Sequence, residues 1–181
     1  MIETERLALR PWREADKPGF AAIINTPAMM AHFGGVAPRG QIDALVDAQM
    51  AGQAADGFSM WAVDWRGTGE LAGICGLRLM PYPDTAITGE LEAGWRIAQA
   101  WWGKGVALEA AQAAFDWGWA TTDAPRIVAY TVIANTHSWG LMERLGMRRR
   151  ADLDFRHPKF AGDDPLGAMV VWAIERPGAP A

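Results

Sequence analysis

The chain of 181 residues carries 21 acidic and 17 basic side chains, a formal net charge of −4, and 50% hydrophobic residues. This length is typical of one globular domain with a substantial core, and no apolar run approaches the roughly 20 residues of a membrane helix. The negative net charge gives no general attraction to nucleic acid or to an anionic membrane. We therefore expect a globular protein that binds neither of them.

Cysteine and histidine usage argues against disulfide and metal chemistry. Cys75 is the single cysteine, which excludes a disulfide within this chain, and its apolar neighbours predict a buried, inert thiol rather than an acylated nucleophile. His32, His137 and His157 show no metal-ligand spacing, so we expect no metal. The charged segment 1–6 lacks the residue order of a signal peptide, which predicts a cytoplasmic location.

The predicted elements alternate between strands and helices, as hydrophobic periodicity and breaker residues indicate. Gly94 predicts a bulge or a close backbone approach in the fourth strand, and Asn135 is expected to cap the last helix. The order predicts an α/β (α+β) fold, a mixed sheet with helices packed on it, in a single domain over 1–176 with a flexible tail over 177–181. In chain order the elements are a strand over 7–12, helices over 15–24 and 42–57, a hairpin of strands over 58–65 and 71–79, a strand over 89–97, a helix over 106–120, a strand over 126–133, a helix over 138–145, and strands over 147–155 and 168–174.

A glycine-rich turn, Trp102-Gly103-Lys104-Gly105-Val106-Ala107, connects the fourth strand to the third helix. The start of a helix offers unpaired N–H groups and the positive end of the helix dipole, which suit a phosphate. Gly103 and Gly105 allow positive φ and a close approach of an anion. The turn lacks the residues of a Walker A loop and of a dinucleotide fingerprint. Taken alone, it is as consistent with a plain strand-to-helix turn as with an anion site.

Four separated segments together resemble the GNAT acetyltransferase superfamily, and within it the ribosomal-protein N-terminal acetyltransferases. Their joint order and spacing are specific, and they cover almost the whole chain. The resemblance implies a mostly antiparallel sheet of about seven strands with helices on both faces. It also implies a splay between the fourth and fifth strands, where acetyl-CoA binds. The segments are Leu7-Ala8-Leu9-Arg10-Pro11, Glu92-Ala93-Gly94-Trp95-Arg96-Ile97, the glycine-rich turn running on to Ala110, and Asn135-Thr136-His137-Ser138 running to Met147.

The resemblance also implies which residues hold the cofactor. The diphosphate of acetyl-CoA would bind the amides of the glycine-rich turn, where Trp102 replaces the family's usual Gln or Arg, and Lys104 either adds charge or stays solvated. The pantetheine arm would run along the fourth strand near Ile97. Asn135 and Ser138 would contact the arm, although Asn135 could instead only cap its helix. The full cofactor set is Ile97, Trp102, Gly103, Lys104, Gly105, Val106, Ala107, Asn135 and Ser138.

Acetyl transfer to an amine requires a base, and Glu92 is the first candidate because it precedes Gly94 and matches the family's Glu-x-Gly-aromatic pattern. Glu90 shares its side-chain parity and is the second candidate. The alternative for Glu92 is a surface carboxylate on a half-exposed strand. The tyrosine that commonly protonates the departing thiolate is replaced by Met142. Ser138 or a water would therefore serve, with Tyr130 as a further candidate.

The sequence thus predicts an N-acetyltransferase that moves acetyl directly from acetyl-CoA to a primary amine, either a protein N-terminus or a small molecule. Loops 31–39 and 80–88 are expected to flank the acceptor. One alternative is a non-catalytic acyl-CoA-binding sensor or scaffold, and another is an interaction domain that uses its tryptophans. The acceptor, the acyl length and the oligomeric state, including a homodimer, stay open.

Overall fold

The computed structural model describes residues 1–178, which form one mixed sheet with five α-helices. The predicted tail over 177–181 falls largely on residues 179–181, outside the described residues, and the single domain over 1–176 stays a prediction. The strands are β1 Ile2–Glu3, β2 Leu7–Arg10, β3 Met60–Trp65, β4 Glu70–Leu79, β5 Leu91–Ile97, β6 Arg126–Val132, β7 Arg148–Arg149, β8 Phe155–Arg156 and β9 Ala168–Glu175. The helices are α1 Lys17–Ile24, α2 Pro27–Met30, α3 Arg39–Asp56, α4 Val106–Thr121 and α5 Thr136–Arg144.

The strands lie in the order β1-β2-β3-β4-β5-β6-β9-β7, and β8 pairs beside β9. Only β5 and β6 pair in parallel among the described strands, and the other pairs are antiparallel. This confirms the mixed, mostly antiparallel fold.

The sheet has nine described strands instead of about seven, for two local reasons. β1 is two residues long, which is too short to show a period in the sequence. The single strand predicted over 147–155 is wrong, because a 3₁₀ turn at Ala151–Leu153 divides it into β7 and β8. After this turn the Asp154 carboxylate accepts a hydrogen bond from the Val171 N–H at 3.0 Å, so a side chain replaces a backbone partner of β9.

Helices cover both faces of the sheet, as predicted. α4 and α5 pack on one face, where Leu91, Ala93 and Ile97 of β5 lie in the larger core cluster. α1 and α3 pack on the opposite face, against Ile74 of β4 and its neighbours. Small residues let α4 approach the sheet closely: a Cβ on Gly118 would lie 2.5 Å from Leu77.

The sheet opens between β5 and β6. These strands pair at Leu91 with Ile127 and at Glu92 with Val128, whereas β5 pairs with β4 along its whole length. The predicted splay is therefore confirmed, and it begins directly after Glu92.

The bulge expected at Gly94 is wrong. The register of β5 with β4 advances one residue at a time, and the register shift lies instead at Val63/Asp64 between β3 and β4. A Cβ at position 94 would lie 2.5 Å from the methyl group of Met60, so a larger residue there would require the Met60 side chain to move.

Candidate active site

The glycine-rich turn has the backbone conformation of an anion cradle. Gly103 and Gly105 have φ of 72° and 76°, and α4 begins at Val106 as predicted. The hydrogen bond from Glu109 N–H to the Gly105 carbonyl, at 3.0 Å, opens the helix, so the N–H groups of residues 106–108 precede the helical ladder. A Cβ on Gly103 would meet nothing within 4 Å. The turn thus presents free amides at an open surface, which fits a diphosphate.

Residues from the N-terminus of the chain hold this turn in place. The Arg6 guanidinium donates from Nε to Glu109 Oε2 at 2.6 Å and from Nη1 to the Lys104 carbonyl at 3.0 Å. The Thr4 hydroxyl also donates to Glu109. Although partial burial acts to raise it, the hydrogen bonds from Thr4 and Arg6 lower the pKa of Glu109. Sequence reasoning missed this contact because its partners lie about a hundred residues apart.

Two predicted cofactor residues, Ile97 and Trp102, lie in direct contact. The Trp102 indole N–H donates to the Ile97 carbonyl at 2.6 Å, and the Trp102 side chain is 48% exposed. The carbonyl expected to pair with pantetheine thus already accepts one hydrogen bond and has one lone pair left. Lys104 is exposed, with Nζ 5.1 Å from the centroid of the Trp101 ring.

Asn135 precedes α5, but its side chain does not cap the helix. The carboxamide instead donates from Nδ2 to the Thr131 hydroxyl at 2.9 Å. The side-chain cap expected from the sequence is therefore wrong, and contact with a cofactor stays a prediction. Ser138 lies half-buried in the first turn of α5. Met142, at the position of the family's tyrosine, is 1% exposed and packs in the core.

Three charged side chains, Arg78, Glu92 and Arg96, form what we call the cleft cluster on the face of the sheet that carries α1 and α3. Glu92 is 4% exposed, so it is not a surface carboxylate. Arg78, its cross-strand partner on β4, donates from Nε and Nη2 to the two Glu92 oxygens at 2.8 and 3.1 Å. Burial raises the pKa of Glu92, while Arg78 opposes the rise. Arg78 Nη2 also reaches the Tyr130 hydroxyl at 3.4 Å.

The other predicted carboxylate, Glu90, lies just before β5 and is held by Arg126. Arg126 Nε donates to Glu90 Oε2 at 3.1 Å. Glu92, and not Glu90, is thus the carboxylate at the point where the sheet opens.

Arg96 has a different environment from Arg78. Its guanidinium lies over the Phe33 ring, 3.9 Å from the centroid. It forms no ion pair or side-chain hydrogen bond within residues 1–178. Burial and repulsion by Arg78 lower the pKa of Arg96 to about 10. Sequence reasoning quoted Arg96 inside a motif but gave it no role, because nothing local distinguishes it from a solvated arginine.

Aromatic rings line the cleft on the other side. Tyr82 packs on His157 with ring centroids 4.4 Å apart, and Tyr130 packs on Phe155 at 5.0 Å. His157 is 8% exposed, and burial, with Lys159 and Arg78, lowers its pKa. Sequence reasoning considered His157 only as a metal ligand and missed this position.

A cavity of about 450 Å³ is connected to the cleft cluster through Phe33, although Arg78, Glu92 and Arg96 are not part of its lining. Phe33 and Phe160 line it, and each also touches the cleft, Phe33 through Arg96 and Phe160 through His157. Lys159 and Asp164 are the charged residues of its lining. The two expected acceptor loops therefore contribute Phe33 and Tyr82 to opposite sides of the same region.

Other chemistry finds little support in the described residues. Cys75 is 1% exposed and burial raises the pKa of its thiol to about 12, as expected of an inert cysteine. No three His, Cys, Asp or Glu side chains among residues 1–178 are grouped to hold a metal ion. Within the same residues, no helix has both the length and the apolarity needed to span a bilayer.

A sheet that splays beside a glycine turn places the protein among the acetyltransferase folds. The crystal structure of an acetyltransferase from Agrobacterium tumefaciens is 28% identical, covers 96% of this chain and 93% of its own, and superposes with a TM-score of 0.76. The family model described as Acetyltransferase (GNAT) domain matches residues 6–148. The chain therefore belongs to the GNAT acetyltransferase family.

Two further relatives bear on the branch of the family. The uncharacterized protein YkkB of Bacillus subtilis (strain 168) is 28% identical over 147 residues, which are 81% of this chain and 84% of YkkB. RimL, a ribosomal L7/L12 alpha-N-protein acetyltransferase solved with coenzyme A, has a TM-score of 0.72 at 15% identity, and the match covers 95% of each chain. An identity of 15% shows that RimL and this chain share a fold. It does not show that this chain belongs to the ribosomal-protein branch, which stays a prediction.

Proposed function

We propose that the protein is an N-acetyltransferase that transfers the acetyl group of acetyl-CoA directly to a primary amine. One observation carries the proposal: Glu92, a buried carboxylate with a raised pKa, is the last residue of β5 that pairs with β6. A potential base thus lies at the apex of the opening in the sheet. Perturbed carboxylates in clefts are typical of catalytic sites.

The residues around the turn fit acetyl-CoA, which would supply an acetyl group activated as a thioester. The amides from Gly103 to Ala107 would bind its diphosphate, because they precede the hydrogen bonds of α4 and the helix dipole favours an anion there. The Trp102 amide donates to the Gln99 carbonyl at 3.1 Å, so Trp102 would contribute through its side chain or after that hydrogen bond opens. Ile97 would pair with the pantetheine arm, and Asn135 and Ser138 would contact it. Gly103 and Gly105 support this role through their positive φ, which keeps the amides accessible.

Glu92 would act as the base. In the reaction a C–N bond forms as the C–S bond breaks, the amine loses a proton, and the departing sulfur gains one. Arg78 uses one site on each Glu92 oxygen, and a carboxylate has about four such sites, so a site remains for the amine or a bridging water. Ser138 or a water would return a proton to the sulfur, because Met142 carries none.

The acceptor is the finer part of the proposal. The ribosomal-protein branch would use a protein N-terminus, and its support is the shared fold of RimL together with the motifs of this chain. A small-molecule amine is the other choice. A cytoplasmic location is proposed from the sequence alone.

The test is Glu92→Gln, with thiol release from acetyl-CoA followed across a panel of amines and CoA affinity measured by calorimetry. We expect kcat/KM to fall about 100-fold or more, as for loss of a general base, with CoA affinity retained. Glu70→Gln, at an exposed carboxylate on β4, is the matched control. If Glu92→Gln leaves turnover unchanged, Glu92 is not the base. If Glu90→Gln loses about 100-fold in kcat/KM while Glu92→Gln does not, the base is Glu90.

A further inference from the structure

The proposed acetyl transfer assigns no role to Arg96, the third member of the cleft cluster. A guanidinium withdrawn from water costs free energy unless an anion or hydrogen-bond acceptor compensates it. Within residues 1–178, Arg96 has the face of the Phe33 ring at 3.9 Å and no carboxylate partner. Glu92, the nearby acid, forms its ion pair with Arg78, which donates one hydrogen bond to each of its oxygens. The cleft cluster therefore carries one uncompensated positive charge.

The position of Arg96 relates this charge to the opening of the sheet. Glu92, Gly94 and Arg96 alternate on β5 and point to the same face. Gly94 lies between the two charged residues, and its missing side chain leaves room for the Met60 methyl group, which forms the floor there. The Cα atoms of Glu92 and Arg96 are about 13 Å apart on an extended strand. The two charged side chains therefore lie on the same face of the sheet, on either side of the Met60 methyl group.

The surroundings are those of a small-molecule site. Phe33 holds the Arg96 guanidinium by stacking, and its ring also lines the cavity of about 450 Å³. This volume falls within the range of pockets for small ligands, about 300–1,000 Å³. The charged residues of the cavity lining, Lys159 and Asp164, have opposite signs, and Arg96 contacts this lining through Phe33.

We infer that the acceptor is a small primary amine that also carries an anionic group, a carboxylate or a phosphonate, and that Arg96 binds this group. The inference rests on the proposed function and names its substrate class. The anion would neutralise the cleft cluster, and the planar guanidinium could bind it through two parallel hydrogen bonds. Arg96 would thus determine specificity, while Glu92 serves the amine.

The experiment compares amines that differ mainly in the anionic group: β-alanine against β-alaninamide, and aminomethylphosphonate against methylamine. A peptide with a free N-terminus and an amidated C-terminus is the third arm. Thiol release gives kcat/KM for wild type, Arg96→Gln, Arg96→Lys and the control Arg148→Gln, whose arginine is exposed on β7. Calorimetry gives CoA affinity for each variant, and thermal melting confirms that each is folded.

We expect wild type to prefer the anionic member of a pair by about tenfold to a hundredfold, the range of one hydrogen bond to a charged group. Arg96→Gln should lose this preference with CoA affinity unchanged, Arg96→Lys should keep part of it, and Arg148→Gln all of it. A preference for β-alanine over β-alaninamide would identify the anionic group as a carboxylate, and a preference for aminomethylphosphonate over methylamine would identify it as a phosphonate.

Equal use of the anionic and neutral amines, a preference that survives in Arg96→Gln, or turnover of the peptide alone would overturn the inference and leave the proposed function standing. Absence of thiol release with every amine, despite CoA binding, would instead reject the proposed function itself. The two failures are therefore distinguishable.

Discussion

Two partly buried charge clusters in this fold have opposite compositions. In the N-terminal cluster, the Arg10 guanidinium lies between Asp16 and Asp64, with its nitrogens 2.6–2.7 Å from the nearest oxygen of each. In the cleft cluster, Glu92 is paired with Arg78, and Arg96 brings a second guanidinium. The first therefore has one cation for two anions, and the second has one anion for two cations.

The two clusters also differ in how the charge of their arginine is compensated. The hydrogen bonds that Arg10 donates to Asp16 raise the pKa of Arg10, so its charge is fully satisfied. Burial and Arg78 lower the pKa of Arg96 instead, so its charge is tolerated rather than stabilised. Each charged group of the N-terminal cluster has an opposite partner, whereas Arg96 has none, and charged groups without a partner in a cleft are typical of binding or catalytic sites. This difference in partners supports the proposal that Arg96 binds an anionic group, and it makes Arg10 a structural arginine.

The largest effect on stability is expected from Arg78→Gln, which leaves Glu92 buried without a partner. We expect about 3 kcal/mol of unfolding free energy to be lost at pH 7, as for one half of a buried ion pair. Because protonation neutralises Glu92, the loss should shrink near pH 4. Urea unfolding at both pH values measures this, and an equal loss at both would contradict the assignment.

Arg10→Gln is the parallel change in the N-terminal cluster. It leaves Asp16 and Asp64 close together without their cation, and we expect a smaller loss, about 2 kcal/mol, because both carboxylates retain some contact with water. The acetylation rate of the folded variant should stay within about twofold of wild type. A loss of activity larger than the loss of folded protein would mean that the two clusters are coupled.

The pH dependence of turnover tests the raised pKa of Glu92. As a base, Glu92 must be ionised, so kcat/KM should rise with pH through a midpoint above the ordinary value of 4.5. Arg78→Gln should move this midpoint further up, since Arg78 lowers the pKa. The acceptor should be an amine of low basicity, because such an amine is already deprotonated over the pH range in which Glu92 titrates. A midpoint at or below 4.5 would count against Glu92.

The titration of His157 gives a smaller effect that also depends on the positive charges around the cleft. Its pKa is lowered by burial and then by Lys159 and Arg78, so the folded state holds fewer protons than the unfolded state below the ordinary value of 6.5. Unfolding free energy should therefore fall as pH drops from above 6.5 through the lowered pKa, by about 1 kcal/mol or less. His157→Asn should flatten this slope, and an unchanged slope would assign it to other groups.

The smallest effect on stability is expected from Arg96→Gln. Since Arg96 has no partner to lose, we expect the free energy of unfolding to stay within about 0.5 kcal/mol of wild type or to increase. Comparison with Arg10→Gln in the same urea series gives the contrast directly. A loss as large as that of Arg10→Gln would show that Arg96 is structural.

Much of the fold was predictable because its signals are local. Alternation placed the hairpin of β3 and β4, and glycine at positions 103 and 105 marked the start of α4. The errors have physical causes as well. Residues 147–155 have strand composition, but the Asp154 side chain binds the backbone of β9 and the strand is broken. Gly94 indicated a bulge or a close backbone approach; the bulge is absent, and the group that lies close to its backbone is the Met60 methyl group on another strand.

The sequence by itself determined the family resemblance and indicated the glycine-rich turn and Glu92 as candidate site residues, because each depends on residue type and short spacing. Only the tertiary structure decided how these groups are paired. It joined Arg78 to Glu92 across two strands, tied Arg6 to Glu109, and left Arg96 against Phe33. Charge balance depends on distances between residues far apart in the chain, and burial sets how strongly those charges interact.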